Sequence, residues 1–286
     1  MIKNIVQLTK PRISIASTLT AALGYIMARG QIDFNILPVL IGGFLLASAS
    51  AALNQIQERK IDSQVKRTVN RPLPTGKISL NTAMTITVIL FLSGFLILFS
   101  FYGWLVAGLG ILAAVIYNGI YTPLKRISPF AAIPGALVGA IPPLVGWLAA
   151  EGRLIDPRIY YVCIFFFIWQ IPHFWLLLLL YSEQFKRNNL PSLFDKFSTN
   201  QIKRLTYAGI LVTAITGMLL PYNLLIKYEL VNVLILVMGI FLIVRTSLLF
   251  KQKSTKDLKK DYRQRFMDIN IFALNVTILL IIANTV

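Results

Sequence analysis

The chain has 286 residues, of which 56% are hydrophobic and only 14% charged, with a net charge of +17. Soluble proteins carry about 25% charged residues, so the composition excludes an ordinary soluble fold and points to one integral membrane domain over residues 1–286. The single cysteine, Cys163, excludes an intrachain disulfide.

The opening MIKNIVQLTKPRIS has neither a short apolar core with a cleavage site nor the Arg- and Ser-rich character of a transit peptide, and reads as a mature N-terminus. Nine apolar spans follow, at 12–29, 35–54, 81–100, 103–121, 131–150, 158–181, 205–225, 229–249 and 267–285. Each nears or exceeds the ~20 residues that cross a bilayer as a helix. A tight Tyr102-Gly103 turn separates the third from the fourth. Of the 28 Lys and Arg residues, 24 fall in the N-terminus and in the loops after even-numbered spans. That asymmetry places the N-terminus on the cytoplasmic side, and an odd number of spans then places the C-terminus outside. Cations confined to short loops between spans also argue against nucleic-acid binding.

The loop after the second span, NQIQERKIDSQVKRTVNRPLPTGK (54–77), is the densest in charge. Asn54, Glu58 and Asp62 recur every four residues and fall within an arc of about 80° on a helix. Two carboxylates and an amide oxygen on one face match what Mg²⁺ prefers when phosphates complete its shell. Arg59, Lys66, Arg67, Arg71 and Lys77 offer charge for phosphate oxygens, and Pro72, Pro74 and Gly76 stiffen the return turn. The plainer alternative is a positive-inside loop with salt-bridged acids.

After the fourth span, Tyr121, Lys125 and Arg126 lie in YNGIYTPLKR, either closing a phosphate site or anchoring a helix end at the interface. The fifth span, with Gly135, Gly139, Pro134, Pro142 and Pro143, allows close helix packing or a slot for a flat or long ligand. In the sixth, WQIPHFW sets Gln170 one turn before His173, the one histidine, at a Pro172 kink. A polar pair there contacts a ligand, serves as a base or bridges helices. The basic run 251–265 reads as a solvated loop near anionic lipid.

These motifs together resemble the UbiA superfamily of intramembrane prenyltransferases. The resemblance runs from LTKPRIS through ALNQIQERKID, KRTVNRPLPTGKIS, YTPLKRISP and GAIPPLVGW to WQIPHFW, and is most like the heme branch. There Gln55 stands where the wider superfamily has Asp. It implies a nine-helix, all-α bundle around a central cavity. It implies farnesyl transfer from farnesyl diphosphate to a vinyl group of heme B, with Mg²⁺ as cofactor. By motif, Asn54, Glu58 and Asp62 hold the metal and, with Lys125, are catalytic. Arg59, Lys66, Arg67, Arg71, Tyr121, Lys125 and Arg126 hold the diphosphate, and Trp169, Gln170 and His173 contact heme. Where the superfamily's second loop has Asp-Tyr, this chain has Gln184-Phe185, leaving either Glu183 or Asp195 to add a carboxylate or one metal to suffice. The setting implied is a bacterial inner membrane with the site facing the cytoplasm, and a heme A synthase or terminal oxidase assembly protein as partner. The rival readings are a quinone-precursor or chlorophyllide prenyltransferase, a transporter of an anionic lipid or phosphate, and a structural subunit of a respiratory complex.

Overall fold

Apolar runs of this length become helices because a backbone in lipid must satisfy its own N–H and C=O groups. The computed structural model describes residues 1–183, 191–247, 249 and 255–285, and among these all regular structure is helical. The elements are α1 (Ile2–Thr9), α2 (Pro11–Arg29), α3 (Ile36–Asp62), α4 (Leu80–Ala114), a π stretch (Val115–Tyr121), α5 (Thr122–Leu124), α6 (Ala132–Ala149), α7 (Pro157–Leu180), a 3-10 turn (Leu193–Asp195), α8 (Thr199–Asn223), α9 (Glu229–Ser247) and α10 (Thr255–Thr285).

Among the described residues, seven helices are long and apolar enough to cross a bilayer, the run Leu80–Leu124 counting as one. That run holds both the third and the fourth expected spans. Gly103, at φ 76 and ψ −171, breaks its helical path. The Trp104 ring lies 4.4 Å from that of Phe99. A methyl group on Gly110 would lie 3.2 Å from Leu98 Cδ1. Twelve residues span about 18 Å along a straight helix, so the chain doubles back at Gly103, where a residue without Cβ takes the required dihedrals. The expected span 12–29 forms α2. It carries Ser14, Ser17, Thr18 and Thr20 and is not among the seven.

Two boundaries move. Helix α3 continues through Asp62 instead of stopping at 54, so the acidic motif lies on a helix that begins among apolar residues. Helix α10 begins at Thr255, twelve residues before the expected 267. The reading of 251–265 as a solvated loop is therefore corrected from 255 onward; 251–254 lie outside the described residues. Asp261, Tyr262 and Arg265 are buried there. Arg265 pairs with Asp268 at 3.1 Å and with Asp261 at 3.6 Å, which offsets the cost of burying these charges.

The chain divides into two compact units, Met1–Arg126 with Ile141–Leu154, and Ile127–Ala140 with Ile155–Val286. In the first, Leu8, Ala52, Ile56, Ile78 and Ala83 form a buried cluster with Leu73 packed on it. The cluster clamps α1 and the Pro-rich turn to α3. In the second, α7 packs on α8 and α10, and α9 packs on α8 and α10.

Candidate active site

In the first unit, the four-residue spacing on α3 puts Asn54, Glu58 and Asp62 along one face, and each meets a cation. Lys10 Nζ donates to Asn54 Oδ1 at 3.4 Å. Lys125 Nζ lies 2.7 Å from Glu58 Oε1. Arg71 Nη1 lies 2.6 Å from Asp62 Oδ2. Asn54 and Asp62 are buried.

Three local devices deliver those cations. Lys10 occupies the left-handed region (φ 48, ψ 57) between α1 and α2, at a cost of about 1–2 kcal/mol for a residue with a Cβ. Burial pushes its ammonium down to about 8, and Arg71 adds to the shift. The turn after α3 carries Arg71. It is closed by Thr75 N to Arg71 O (3.2 Å) and Gly76 N to Leu73 O (3.1 Å), with Gly76 at φ 69. The π stretch brings in Lys125. Within it Tyr117 and Tyr121, four residues apart, stack at 5.7 Å. Lys125 Nζ sits 5.1 Å from the Tyr121 ring centroid, and burial lowers its ammonium below the ordinary lysine value against the pull of Glu58.

Thr122, fully buried, fixes the Asn54 amide. Its Oγ1 donates to Tyr117 O at 2.8 Å and accepts from Asn54 Nδ2 at 3.1 Å. The amide oxygen is thereby turned toward Lys10. Gln55, one residue on, leaves this face. Its Nε2 donates to Gln7 O (2.7 Å) and Leu8 O (2.9 Å), stapling α1 to α3.

The remaining expected phosphate ligands are placed differently. Arg59 is exposed and donates to Ile56 O of its own helix at 3.2 Å. Arg126 donates to Gln57 O at 2.7 Å. Lys66, Arg67 and Lys77 are exposed in the turn.

In the second unit, His173 Nδ1 lies 3.1 Å from Asn270 Oδ1 on α10. Trp169 Nε1 donates to Ile269 O at 3.2 Å. The His173 ring is 5.0 Å from Trp169 and 4.8 Å from Phe266. Gln170 Oε1 is buried without a hydrogen-bond partner. A Cβ on Gly139 would stand 1.9 Å from that oxygen, so the glycine of the expected small-residue pair makes room for Gln170. Glu183 pairs with Lys259 at 3.0 Å. Asp195 Oδ2 accepts from Ser192 N at 2.7 Å as a helix cap. Gln184 and Phe185 lie outside the described residues.

Among the described residues, no three His, Cys, Asp or Glu side chains gather into a metal-binding group. The α3 face nevertheless fits Mg²⁺, which is commonly held by one or two carboxylates with substrate phosphates. Its donors are all oxygen. Each carboxylate commits one oxygen to its ion pair, Glu58 Oε1 and Asp62 Oδ2.

A model described as the UbiA prenyltransferase family matches residues 17–272. The chain belongs to that family. UbiA relatives share most of its length. It is 35% identical over 222 residues to a protoheme IX farnesyltransferase of Cytophaga hutchinsonii, covering 77% of this chain and 75% of the relative. It is 34% identical over 267 residues to one of Christiangramia forsetii, covering 89% and 85%. Among solved structures it is similar to that of a digeranylgeranylglyceryl phosphate synthase, with TM-score 0.78, 20% identity and 99% and 98% of the two chains covered. It is also similar to a UbiA homolog from Archaeoglobus fulgidus bound to GPP and Mg²⁺, with TM-score 0.67, 14% identity and 97% and 99% covered. At these identities the structural likenesses establish an all-α UbiA fold.

Three residues of this UbiA chain have no role in the motif reading above: Lys10, Thr122 and Asn270. Lys10 leaves one faint signal, a cation directly before the proline that opens a helix. Thr122 and Asn270 leave none, because their partners lie 68 and 97 residues away.

Proposed function

We propose that this UbiA prenyltransferase transfers the farnesyl group of farnesyl diphosphate to a vinyl group of heme B, giving heme O. One observation carries the reading: the acidic face of α3 meets Lys10, Arg71 and Lys125 within one compact unit. The names of its relatives support heme as the acceptor.

Asn54, Glu58 and Asp62 are the residues that would hold Mg²⁺, which when bound supplies Lewis-acid neutralisation of the diphosphate. Lys10, Arg71 and Lys125 disperse the negative charge that builds as the allylic C–O bond breaks, an electrostatic contribution that is large where water is scarce. The stacked Tyr117 and Tyr121 present an apolar wall beside the site, which shields the allylic cation from early hydrolysis. The vinyl carbon attacks that cation and a C–C bond forms. Water then adds to the porphyrin-side cation and loses a proton, leaving a hydroxyethylfarnesyl group. Trp169, Gln170 and His173 are the proposed heme contacts, and Glu183 a secondary source of a metal carboxylate.

The Lys and Arg distribution supports a site on the cytoplasmic side of a bacterial inner membrane, with residues 1–286 working as one domain. The product is suited to a heme A synthase or a terminal oxidase assembly protein.

The test is incubation of membranes containing the protein with labelled farnesyl diphosphate and either heme B or 4-hydroxybenzoate. Labelled heme O is expected. Labelled prenyl-hydroxybenzoate without heme O would transfer the reading to a quinone-precursor enzyme.

A further inference from the structure

We infer that Asn270 is a positioning residue that locks His173 in the Nδ1–H tautomer, leaving Nε2 as the lone-pair nitrogen that meets the acceptor. This deepens the heme reading above and rests on it. Asn270 lies on α10. Its Nδ2 donates to the backbone carbonyl of Phe266, four residues earlier on α10. That bond fixes which amide atom is which, since the opposite orientation would set Oδ1 against a carbonyl oxygen. Oδ1 therefore faces His173 Nδ1 at 3.1 Å and can only accept, so Nδ1 carries the proton. A neutral imidazole holds one N–H, and Nε2 is left as the acceptor.

The ring is also held in direction. Trp169 and Phe266 flank it at 5.0 and 4.8 Å, and Trp169 is itself tied to Ile269 O on the same helix. The Pro172 beside it has no backbone N–H to give. A histidine whose Nδ1–H is committed to an oxygen, with its ring clamped, has the arrangement in which Nε2 binds a metal ion, because the outer hydrogen bond fixes orientation and raises ligand basicity. The chemistry this serves is a metalloporphyrin that offers its iron to Nε2.

The chain has one histidine, so ring-nitrogen labelling gives the signals of His173 alone when purification uses a tag without histidine. In the heme-free protein, nitrogen NMR is expected to show a protonated Nδ1 and an unprotonated Nε2. Asn270→Leu should release the lock and admit the other tautomer. It should weaken affinity for heme B by about tenfold, the lower end of the effect of an outer hydrogen bond on a metal ligand. Asn270→Asp, which keeps an acceptor oxygen, should restore most of it. A wild-type Nε2–H tautomer, or an Asn270→Leu protein with unaltered tautomer and heme affinity, overturns the inference while the heme reading stands. Unaltered heme affinity in His173→Ala removes the His173 contact and this role with it, whatever the tautomer.

Discussion

Lys125 Nζ lies 2.7 Å from Glu58 Oε1, so the cation that caps α5 is pinned to the middle of the acidic face. Both side chains are partly buried, at 26% and 14% exposure. The pair is thus sheltered enough to matter and open enough to be re-formed around a ligand. Lys125→Met should lower kcat for farnesyl transfer about 100-fold, the usual effect of deleting one donor to developing negative charge. Glu58→Gln should instead raise the Mg²⁺ concentration needed for half-maximal rate. Equal changes in kcat and Mg²⁺ requirement for both variants would reduce the pair to a structural brace. Steady-state kinetics across Mg²⁺ concentrations distinguishes the two.

Thr122 acts one step back from the substrate. Thr122→Val keeps the shape but loses the hydroxyl that receives Asn54 Nδ2, and the amide is then free to rotate. Mg²⁺ affinity should fall about tenfold, as for loss of an outer-shell partner, with little change at saturating Mg²⁺. Thr122→Ser should restore it. A Val variant with wild-type Mg²⁺ dependence would end the assignment.

Lys10 combines strain with charge, and two variants separate them. Lys10→Gly relieves the left-handed backbone and should stabilise the fold by roughly 1 kcal/mol, offset in part by the greater entropy that glycine has in the unfolded chain. It should also weaken binding of inorganic pyrophosphate in the presence of Mg²⁺ by about tenfold. Lys10→Met keeps the strain and should show the same loss of affinity without the gain in stability. Pyrophosphate titration beside thermal unfolding in detergent measures both quantities. Unaltered pyrophosphate affinity in the two variants would remove Lys10 from the site.

Asp33, between α2 and α3, contributes one pH-dependent part of stability. Its carboxylate accepts from the Tyr25 hydroxyl at 2.7 Å, Arg29 Nε at 3.1 Å and Asn35 N at 3.0 Å. The Tyr25 bond first, then Arg29, holds its pKa below the ordinary carboxylate value. A folded pKa below the unfolded one means that the stabilisation is complete above about pH 4 and is lost as pH falls through the folded value. Asp33→Asn should therefore unfold at a lower temperature than wild type at neutral pH, and the difference should shrink in acid. A gap that stays constant across that range would refute the linkage.

The acidic face is legible in the sequence because i, i+4, i+8 spacing is a local property of one helix, and Gly103 is legible because a turn between two apolar runs needs a residue of its kind. What completes the site is not local. Lys10 meets Asn54 across 44 residues, and no periodicity links them. The buried charges of α10 mislead for a related reason. Asp261 and Arg265 look like solvent-facing residues until Arg245 and Asp268 are found beside them. The four-residue rhythm likewise cannot tell which cations turn inward. Arg71 does, whereas Arg59 folds back on the Ile56 carbonyl of its own helix.

The π stretch at Val115–Tyr121 behaves as a single-residue insertion in an otherwise regular helix. Removing one residue there would rewind the following segment by about 100°, carrying Tyr121 and Lys125 off the line of α3 while leaving every side chain chemically intact. Natural variants that are shortened by one residue at this point would keep the whole motif in writing and lose it in space. Homologues aligned through this bulge without a gap would then be credited with a lysine they cannot use.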